Sequence, residues 1–379
     1  MATMDSILDF SKDLDVSLLD TVVETFYKGK GDDQKQAQIL LTKFQDHPDA
    51  WTRADKILQF SRDSESKYIA LSILNNLIKT KWKILPNDQK LGIRNFIASM
   101  IISMCNDDNQ FINNKPLINK CDLTLVQIVK QDWPQNWPNF IPEIIQSSKA
   151  SFNVCENNMI ILKLLSEEII DFSHDQLTQA KAKSLKINMA NEFQQIFQLC
   201  IEVLDKATKN SLIIQTLQCL NKYIHWIPVG YNFETNLLPL LTNKFLPIDQ
   251  FRSITIKCLT EVSQLIAPQY NEKFVSMFVM SIESISKIIP IDLDLKKTYK
   301  FASSNDQEFM QDLAMFLVTF LSNHLNELEN LKQFNNINLI AHNYLIQLSR
   351  IDERELFKTC LDYWVKLVNG LYSEIQNLS

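Results

Sequence analysis

The stretch DVSLLDTVVETFYK, residues 15–28, predicts an amphipathic helix and sets the fold class. Its apolar residues fall on one helical stripe, formed by Leu18, Leu19, Val22, Val23 and Phe26. Asp15 suits the N-cap, and Gly29 follows the last apolar turn. The next stretch, GDDQKQAQILLTKFQDHP at residues 31–48, predicts a second helix. Acidic residues open that helix, and Pro48 stops it.

The same helix pair recurs along the chain at a period of roughly forty residues, which is typical of HEAT and armadillo arrays. Further helices are predicted at residues 49–60, 64–81, 87–105, 117–132, 139–148, 154–172, 178–206, 211–226, 234–246, 249–265, 271–289, 307–325, 334–349 and 353–375. Residues 291–307 break the period and predict an extended joint with a flexible tip at 303–306. The fold class is therefore all-α, an α-solenoid of antiparallel HEAT pairs stacked into a curved superhelix.

The last predicted helix keeps an apolar stripe after the array would be expected to end. The stripe consists of Leu361, Trp364, Leu367, Val368 and Leu371. Since a solenoid normally ends in a repeat with a polar outer face, we expect further repeats to follow in a longer parent protein.

Composition excludes several classes of function. The 379 residues contain only five glycines, which disfavours glycine-rich phosphate loops and oxyanion turns. The net charge of −6 disfavours nucleic-acid binding.

The seven cysteines form no C-x-x-C pair, and the five histidines show no metal-ligand spacing, so we expect reduced thiols and no metal or cofactor. With an acidic N-terminus and no apolar run of about twenty residues, an intracellular protein without membrane insertion is expected.

The stretch DWPQNWPNFIPE, residues 132–143, predicts a rigid corner between two repeats. Pro134 must end the preceding helix at Trp133, and Pro138 holds the joint extended. Pro142 falls in the first turn of the next helix, where a missing N–H costs nothing. The indoles of Trp133 and Trp137 are expected to pack between the repeats.

The same stretch carries a resemblance to a known family. With HPDAWTRADKILQFS (47–61), IKTKWKILP (78–86), NNMIILKLLSEEIIDFS (157–173), EFQQIFQLC (192–200), FRSITIKCLTEVS (251–263) and ERELFKTCLDYW (353–364), it resembles the nuclear export receptors of the importin-β (karyopherin) superfamily.

The resemblance implies a non-enzymatic receptor that shuttles between nucleus and cytoplasm. In that family the second helices of the first repeats hold Ran-GTP, and outer grooves bind Phe-Gly nucleoporins. Residues 1–172 would be the Ran-binding region, and residues 173–379 the continuing repeats. The acidic loop and the cargo groove lie in later repeats, so export cargo would bind only beyond this chain. The reactive cysteine known for the family lies in that groove and corresponds to none of these seven.

Under this resemblance, polar residues opposite the apolar stripes of the second helices are the candidate Ran contacts. They are Gln34, Lys35, Gln38 and Thr42 on the first, Ser72, Asn75, Asn76 and Lys79 on the second, Gln127 and Lys130 on the third, and Lys163 and Glu167 on the fourth. For any single residue, a merely solvated helix face remains the alternative.

Other patterns have structural interpretations that we favour. KTKWK (79–83) resembles a small nucleic-acid patch, but its lysines also suit a helix C-terminus. ILKLLSEEII (161–170) resembles an L-x-x-L-L motif, but this spacing is usual for a helix core. His225, beside Trp226, is interpreted as a packed or interfacial histidine. Two alternative functions stay open: a HEAT scaffold with nucleotide-independent partners, and an import receptor.

Overall fold

The computed structural model describes residues 4–170, 179–225 and 227–378, which form two compact units, residues 1–189 and residues 190–379. Within the described residues the secondary structure is helical and contains no strand. The predicted all-α fold of stacked helix pairs is therefore confirmed. The predicted boundary between residues 172 and 173 lies outside the described residues.

The first unit consists of helices joined by short turns. They are α1 (Val16–Lys28), α2 (Asp32–Asp46), α3 (Ala54–Phe60), α4 (Ser64–Thr80), α5 (Asn87–Asn106), α6 (Asp108–Asn113), α7 (Lys115–Asp132), α8 (Phe140–Ser147) and α9 (Phe152–Ile170). Short 3-10 turns cover Met4–Leu8, Ala50–Arg53 and Trp82–Ile84. As predicted, Asp15 caps α1, and its carboxylate accepts a hydrogen bond from the Leu18 amide at 3.1 Å.

Within this unit the helices pair in chain order. Helix α1 packs on α2, α3 on α4, α5 on α7 and α8 on α9. The second helices of successive pairs also pack side by side, α4 on α7 and α7 on α9. Of the α1 stripe predicted from the sequence, Leu19, Val22 and Val23 are fully shielded, and Leu18 and Phe26 are half-buried. This arrangement places the polar strips of α4, α7 and α9 on neighbouring helices.

The second unit repeats the plan. Its helices are α10 (Gln179–Lys206), which begins in the first unit, α11 (Asn210–Tyr223), α12 (Gly230–Phe233), α13 (Leu237–Pro239), α14 (Asp249–Ser263), α15 (Asn271–Ile288), α16 (Leu295–Phe301), α17 (Ser304–Asn330), α18 (Asn335–Ser349) and α19 (Arg354–Leu378). A π-helical turn covers Leu240–Phe245, directly after α13. Helices α11, α14, α17 and α19 pack in succession as the second helices of their pairs.

Hydrogen bonds between neighbouring pairs show the repeat period directly. Ser61 donates to Asp20, 41 residues earlier, and the Cys258 thiol donates to the Leu217 carbonyl, also 41 residues earlier. Lys273 donates to the Phe233 carbonyl across 40 residues. Equivalent positions of successive repeats are therefore spatial neighbours, as expected of a HEAT array.

The joint predicted at residues 291–307 is wrong in conformation. Helix α16 occupies Leu295–Phe301, and Asp294 caps it by accepting from the Lys297 amide at 3.2 Å. The predicted flexible tip is instead the start of α17, where the Ser303 hydroxyl accepts from the Asp306 amide at 3.2 Å. Each of the two helices begins at a capping side chain, Asp294 or Ser303. A helix start of this kind does not depend on an apolar period in the sequence.

The proline-rich corner is turned rather than extended. Helix α7 ends at Asp132, the Trp133–Pro134 peptide bond is cis, and Pro142 lies in the first turn of α8. The Asp132 carbonyl accepts from the amides of Asn136 at 2.7 Å and Trp137 at 3.2 Å, which closes the turn. A missing proline N–H stops a helix, but it does not prevent the residues that follow from bonding back to the helix end.

Both indoles of the corner are buried. Trp133 is 1% exposed and Trp137 is 7% exposed. Trp137 donates from Nε1 to the Glu143 carboxylate at 2.9 Å, and the Arg94 guanidinium lies 4.4 Å from its ring. The less buried prolines 134 and 138 lie outside this packing.

The apolar stripe on α19 is exposed along most of its length. Leu361 is 42% exposed, Val368 61% and Leu371 51%, whereas Tyr363, on the side facing α18, is 1% exposed.

Candidate functional site

The candidate residues on α2 lie opposite its buried stripe. Lys35, Gln38 and Thr42 are exposed. Gln34 is half-buried and donates from Nε2 to the Phe26 carbonyl at 2.9 Å, which ties α2 to α1. Thr42 donates to the Gln38 carbonyl one turn earlier. Lys35 and Gln38 are therefore the members of this group best placed to meet a partner.

The candidates on α4 follow the same pattern. Ser72, Asn76 and Lys79 are exposed. Asn75 is half-buried, and its carbonyl oxygen is shielded from solvent without a hydrogen-bond partner among the described residues.

The candidates on α7 bond to another side chain of the same protein. Lys130 forms an ion pair with Glu168 on α9 at 2.5 Å, and its side chain is only 13% exposed. Gln127 donates to the same carboxylate oxygen at 3.2 Å. The structure thus brings Gln127 and Lys130 together on Glu168, a residue absent from the candidate set. On α9, Lys163 and Glu167 are half-buried.

Glu168 could have been found from the repeat period. It follows Lys130 by 38 residues and Gln127 by 41, close to the spacing that brings successive second helices together. The sequence analysis considered the polar face of each second helix separately, and it therefore did not compare residues one repeat apart.

A buried polar pair also joins α7 to α9. Asp122, fully shielded, accepts from the Asn157 side-chain amide at 2.9 Å. The second carboxyl oxygen of Asp122 and the carbonyl oxygen of Asn157 have no hydrogen-bond partner among the described residues. Burial raises the pKa of Asp122 to about 8, partly offset by the Asn157 hydrogen bond.

Trp82 of the KTKWK segment and the apolar residues of the L-x-x-L-L segment have structural roles. Trp82 is 2% exposed and donates from Nε1 to the Asp132 carboxylate at 2.9 Å, which joins the end of α4 to the end of α7. In the second segment Ile161, Leu162 and Leu165 are buried. The interpretation of His225 as a packed histidine is wrong, because its side chain is 39% exposed, with Nδ1 3.9 Å from the Glu261 carboxylate. Its neighbour Trp226 lies outside the described residues.

The seven cysteines form no disulfide bond, and all are buried. Burial raises the pKa of the Cys121 thiol to about 12 and raises that of Cys360 as well. Among the described residues no cluster of three or more His, Cys, Asp or Glu could hold a metal ion. No helix in the described part of the chain is long and apolar enough to cross a membrane.

Three family models match the chain in succession. The importin-beta N-terminal domain matches residues 37–103, the exportin 1-like protein family residues 114–259, and the chromosome region maintenance or exportin repeat residues 336–372. These matches, on stacked helix pairs, define the class as the importin-β (karyopherin) superfamily.

Similarity to individual relatives covers nearly the whole chain. Exportin-1 of Schizosaccharomyces pombe is 53% identical over 99% of this chain and 35% of its own length. Exportin-1 of Drosophila melanogaster is 43% identical over 97% of this chain and 34% of its own length. A crystal structure of a Kap121p mutant covers 92% of this chain and 39% of its own, with 13% identity and a TM-score of 0.49.

The chain belongs to the exportin-1 family. It spans about a third of the length of the curated relatives that it matches.

Proposed function

We propose that this chain is the GTPase-binding arm of a nuclear export receptor, which holds Ran-GTP on its second helices and moves between nucleus and cytoplasm. The similarity to exportin-1 relatives over 99% of the chain supports this assignment. In this proposal residues 1–172 bind the GTPase, and residues 173–379 continue the array toward later repeats that take the cargo. The arm works by binding and not by catalysis.

The exposed strips of α2 and α4 are the proposed first contacts. Lys35, Gln38 and Asn76 are exposed on second helices, and the match to the importin-beta N-terminal domain over residues 37–103 includes Gln38 and Asn76. Gln127 and Lys130 contribute indirectly in this proposal, because their bonds to Glu168 hold α7 against α9.

Calorimetric titration of the chain with Ran tests the proposal. Ran loaded with a non-hydrolysable GTP analogue should bind at least about tenfold more tightly than Ran-GDP, a difference of about 1.4 kcal/mol. The double variant Lys35→Glu/Asn76→Glu should weaken the GTP-form complex by a similar factor, because it places negative charge on both strips.

Lys30→Glu/Asn95→Glu is the matched control, since it makes the same charge change at exposed positions outside the second helices. It should leave the affinity unchanged. Equal affinity for the two nucleotide states would overturn the proposal and favour a HEAT scaffold with nucleotide-independent partners.

An apolar cavity in the first unit is the proposed site for Phe-Gly nucleoporins. It has a volume of about 130 Å³ and lies beside α5 and α8, with Ile101, Ile102, Trp137, Phe140 and Ile144 among its lining residues. Ile102 is 42% exposed at its edge. An apolar cavity of about 150 Å³ accepts benzene, so one phenylalanine ring matches this volume.

A peptide with Phe-Gly repeats should therefore bind, and a Ser-Gly peptide of equal length should not. The variant Ile102→Asp should weaken the Phe-Gly peptide about tenfold or more, because it sets a charge at the cavity edge. Leu91→Asp, at an exposed position on the same helix but outside the cavity lining, should not. Fluorescence anisotropy measures the affinity of each variant for the Phe-Gly peptide. Equal affinities for the two variants would show that this cavity is not the binding site.

A further inference from the structure

Three lysines surround one cavity at the C-terminal end of α4. The cavity has a volume of about 190 Å³, and its lining consists of Lys79, Lys81 and Lys83 together with Ile78, Thr80, Trp82, Ile84 and Gln131. The three lysines are exposed, and among the described residues none of them forms an ion pair. In a chain of net charge −6, this is a concentrated patch of positive charge.

The neighbouring charges leave the patch uncompensated. Lys130, one residue before Gln131, already has its carboxylate partner in Glu168. The Asp132 carboxylate is 4% exposed and accepts from the Trp82 indole, so it is turned into the protein. Attraction to the carbonyl end of α4 accounts for lysines in its last turn. It does not account for Lys83, which belongs to the following 3-10 turn.

We infer that this lysine cavity binds an acidic peptide segment of a protein partner. A cavity whose lining contains three exposed lysines and no acidic residue attracts carboxylates, and the binding of each carboxylate relieves repulsion among the lysines. A short segment rich in Asp or Glu presents carboxylates at the spacing of successive side chains. Lys79 is also a candidate GTPase contact on α4, whereas Lys81 and Lys83 lie beyond that helix, so the inferred site overlaps the proposed GTPase surface at one residue and does not require a bound GTPase.

A nucleic acid fits the same patch poorly. Sequence-independent binding of a single strand uses exposed aromatic rings on which bases stack, in addition to a basic groove. Trp82 is the aromatic residue of the cavity, and at 2% exposure it offers no face for stacking. The positive charge is also confined to one cavity and does not follow a long strand.

Fluorescence anisotropy with a labelled hexaglutamate peptide tests the inference. The full chain should bind this probe, more weakly as salt is raised, and should not bind hexaglutamine. The variant Lys79→Gln/Lys81→Gln/Lys83→Gln should weaken binding roughly tenfold, as expected for the loss of three exposed ion pairs. Lys30→Gln/Lys43→Gln/Lys149→Gln makes the same charge change at exposed lysines elsewhere and should bind like the unmodified chain.

Circular dichroism and the thermal midpoint establish that both variants are folded. Equal losses of affinity in the two triple variants would show that binding depends on the net charge of the chain and not on this cavity, and would overturn the inference. Tighter binding of a single-stranded oligonucleotide of matched charge, lost in the first variant alone, would also overturn it, in favour of a nucleic-acid site.

Discussion

Between about pH 4 and about pH 8, the unit that contains Asp122 is expected to lose stability as the pH rises. The folded chain holds a proton on Asp122 up to a pKa of about 8, whereas the ordinary value of 3.8 applies once the chain is unfolded. The unfolded state therefore binds fewer protons across this interval, and the free energy of unfolding falls by up to about 1.4 kcal/mol per pH unit. Above the folded pKa this contribution becomes constant.

The geometry of the pair gives the reason. Asn157 donates one hydrogen bond to Asp122, which leaves one oxygen on each side chain without a partner among the described residues. A protonated carboxyl carries an O–H that can donate, and the Asn157 oxygen can accept. A single proton on Asp122 therefore allows a hydrogen bond that involves both oxygens. Removing that proton leaves a buried charge between α7 and α9 with one hydrogen bond.

Thermal unfolding from pH 5 to pH 9 measures the effect, and Asp122→Asn is the control. Asparagine keeps the shape and cannot ionise, so the variant should lack this contribution and gain stability relative to the unmodified chain as the pH rises. The difference between the two curves also cancels other titrating groups, such as Asp312, whose pKa burial raises to about 6, and His324, whose pKa burial lowers. Parallel curves for the two proteins would contradict the assignment.

Replacing Arg53 by methionine is expected to release the N-terminal segment. Arg53 is 6% exposed and donates to the carbonyls of Ile7 at 3.0 Å, Asp9 at 2.7 Å and Lys12 at 3.0 Å. Its guanidinium also lies 3.9 Å from the centre of the Phe10 ring. Hydrogen bonds from a charged donor contribute about 1.5–3 kcal/mol each, so the combined loss should be about 3 kcal/mol or more.

Limited proteolysis within residues 9–14, with the thermal midpoint, measures that release. Lys56→Met is the matched control, because Lys56 holds the same segment through Asp13 at 2.7 Å but is 42% exposed. An exposed ion pair contributes about 1 kcal/mol at most, so this variant should be cut little faster than the unmodified chain. Equal cleavage rates in the two variants would show that Arg53 does not hold the segment.

The sequence predicted those features that depend on nearby residues. The stripe and the Asp15 cap of α1 were both readable within fourteen residues, and both are observed. Residues 291–307 were misjudged because α16 buries little besides Leu295, so a short helix fixed by its cap shows no apolar period. The turned corner was missed for a related reason, since hydrogen bonds back to Asp132 leave no compositional trace.

For the candidate site, the sequence indicated which side chains lie opposite the buried stripes but not what those side chains contact. Lys130 and Gln127 are polar residues of the second helix α7, and both bond to Glu168 on the next second helix. Such partners lie one repeat apart, and only the period connects them in the sequence. The Asp122–Asn157 pair was missed because a polar residue inside an apolar run gives no sign of its partner.

Because all seven native cysteines are buried, a thiol-directed dye should react with an introduced exposed cysteine and not with the native ones. Thiol-directed fluorophores react with the accessible thiolate, and the native thiols are both shielded and, for Cys121 and Cys360, held protonated. A cysteine introduced at Ile84, 79% exposed in the first unit, and another at Leu339, 70% exposed in the second, should therefore be labelled without removing any native residue. Energy transfer between the two dyes would then report the separation of the units in solution, with and without a bound GTPase.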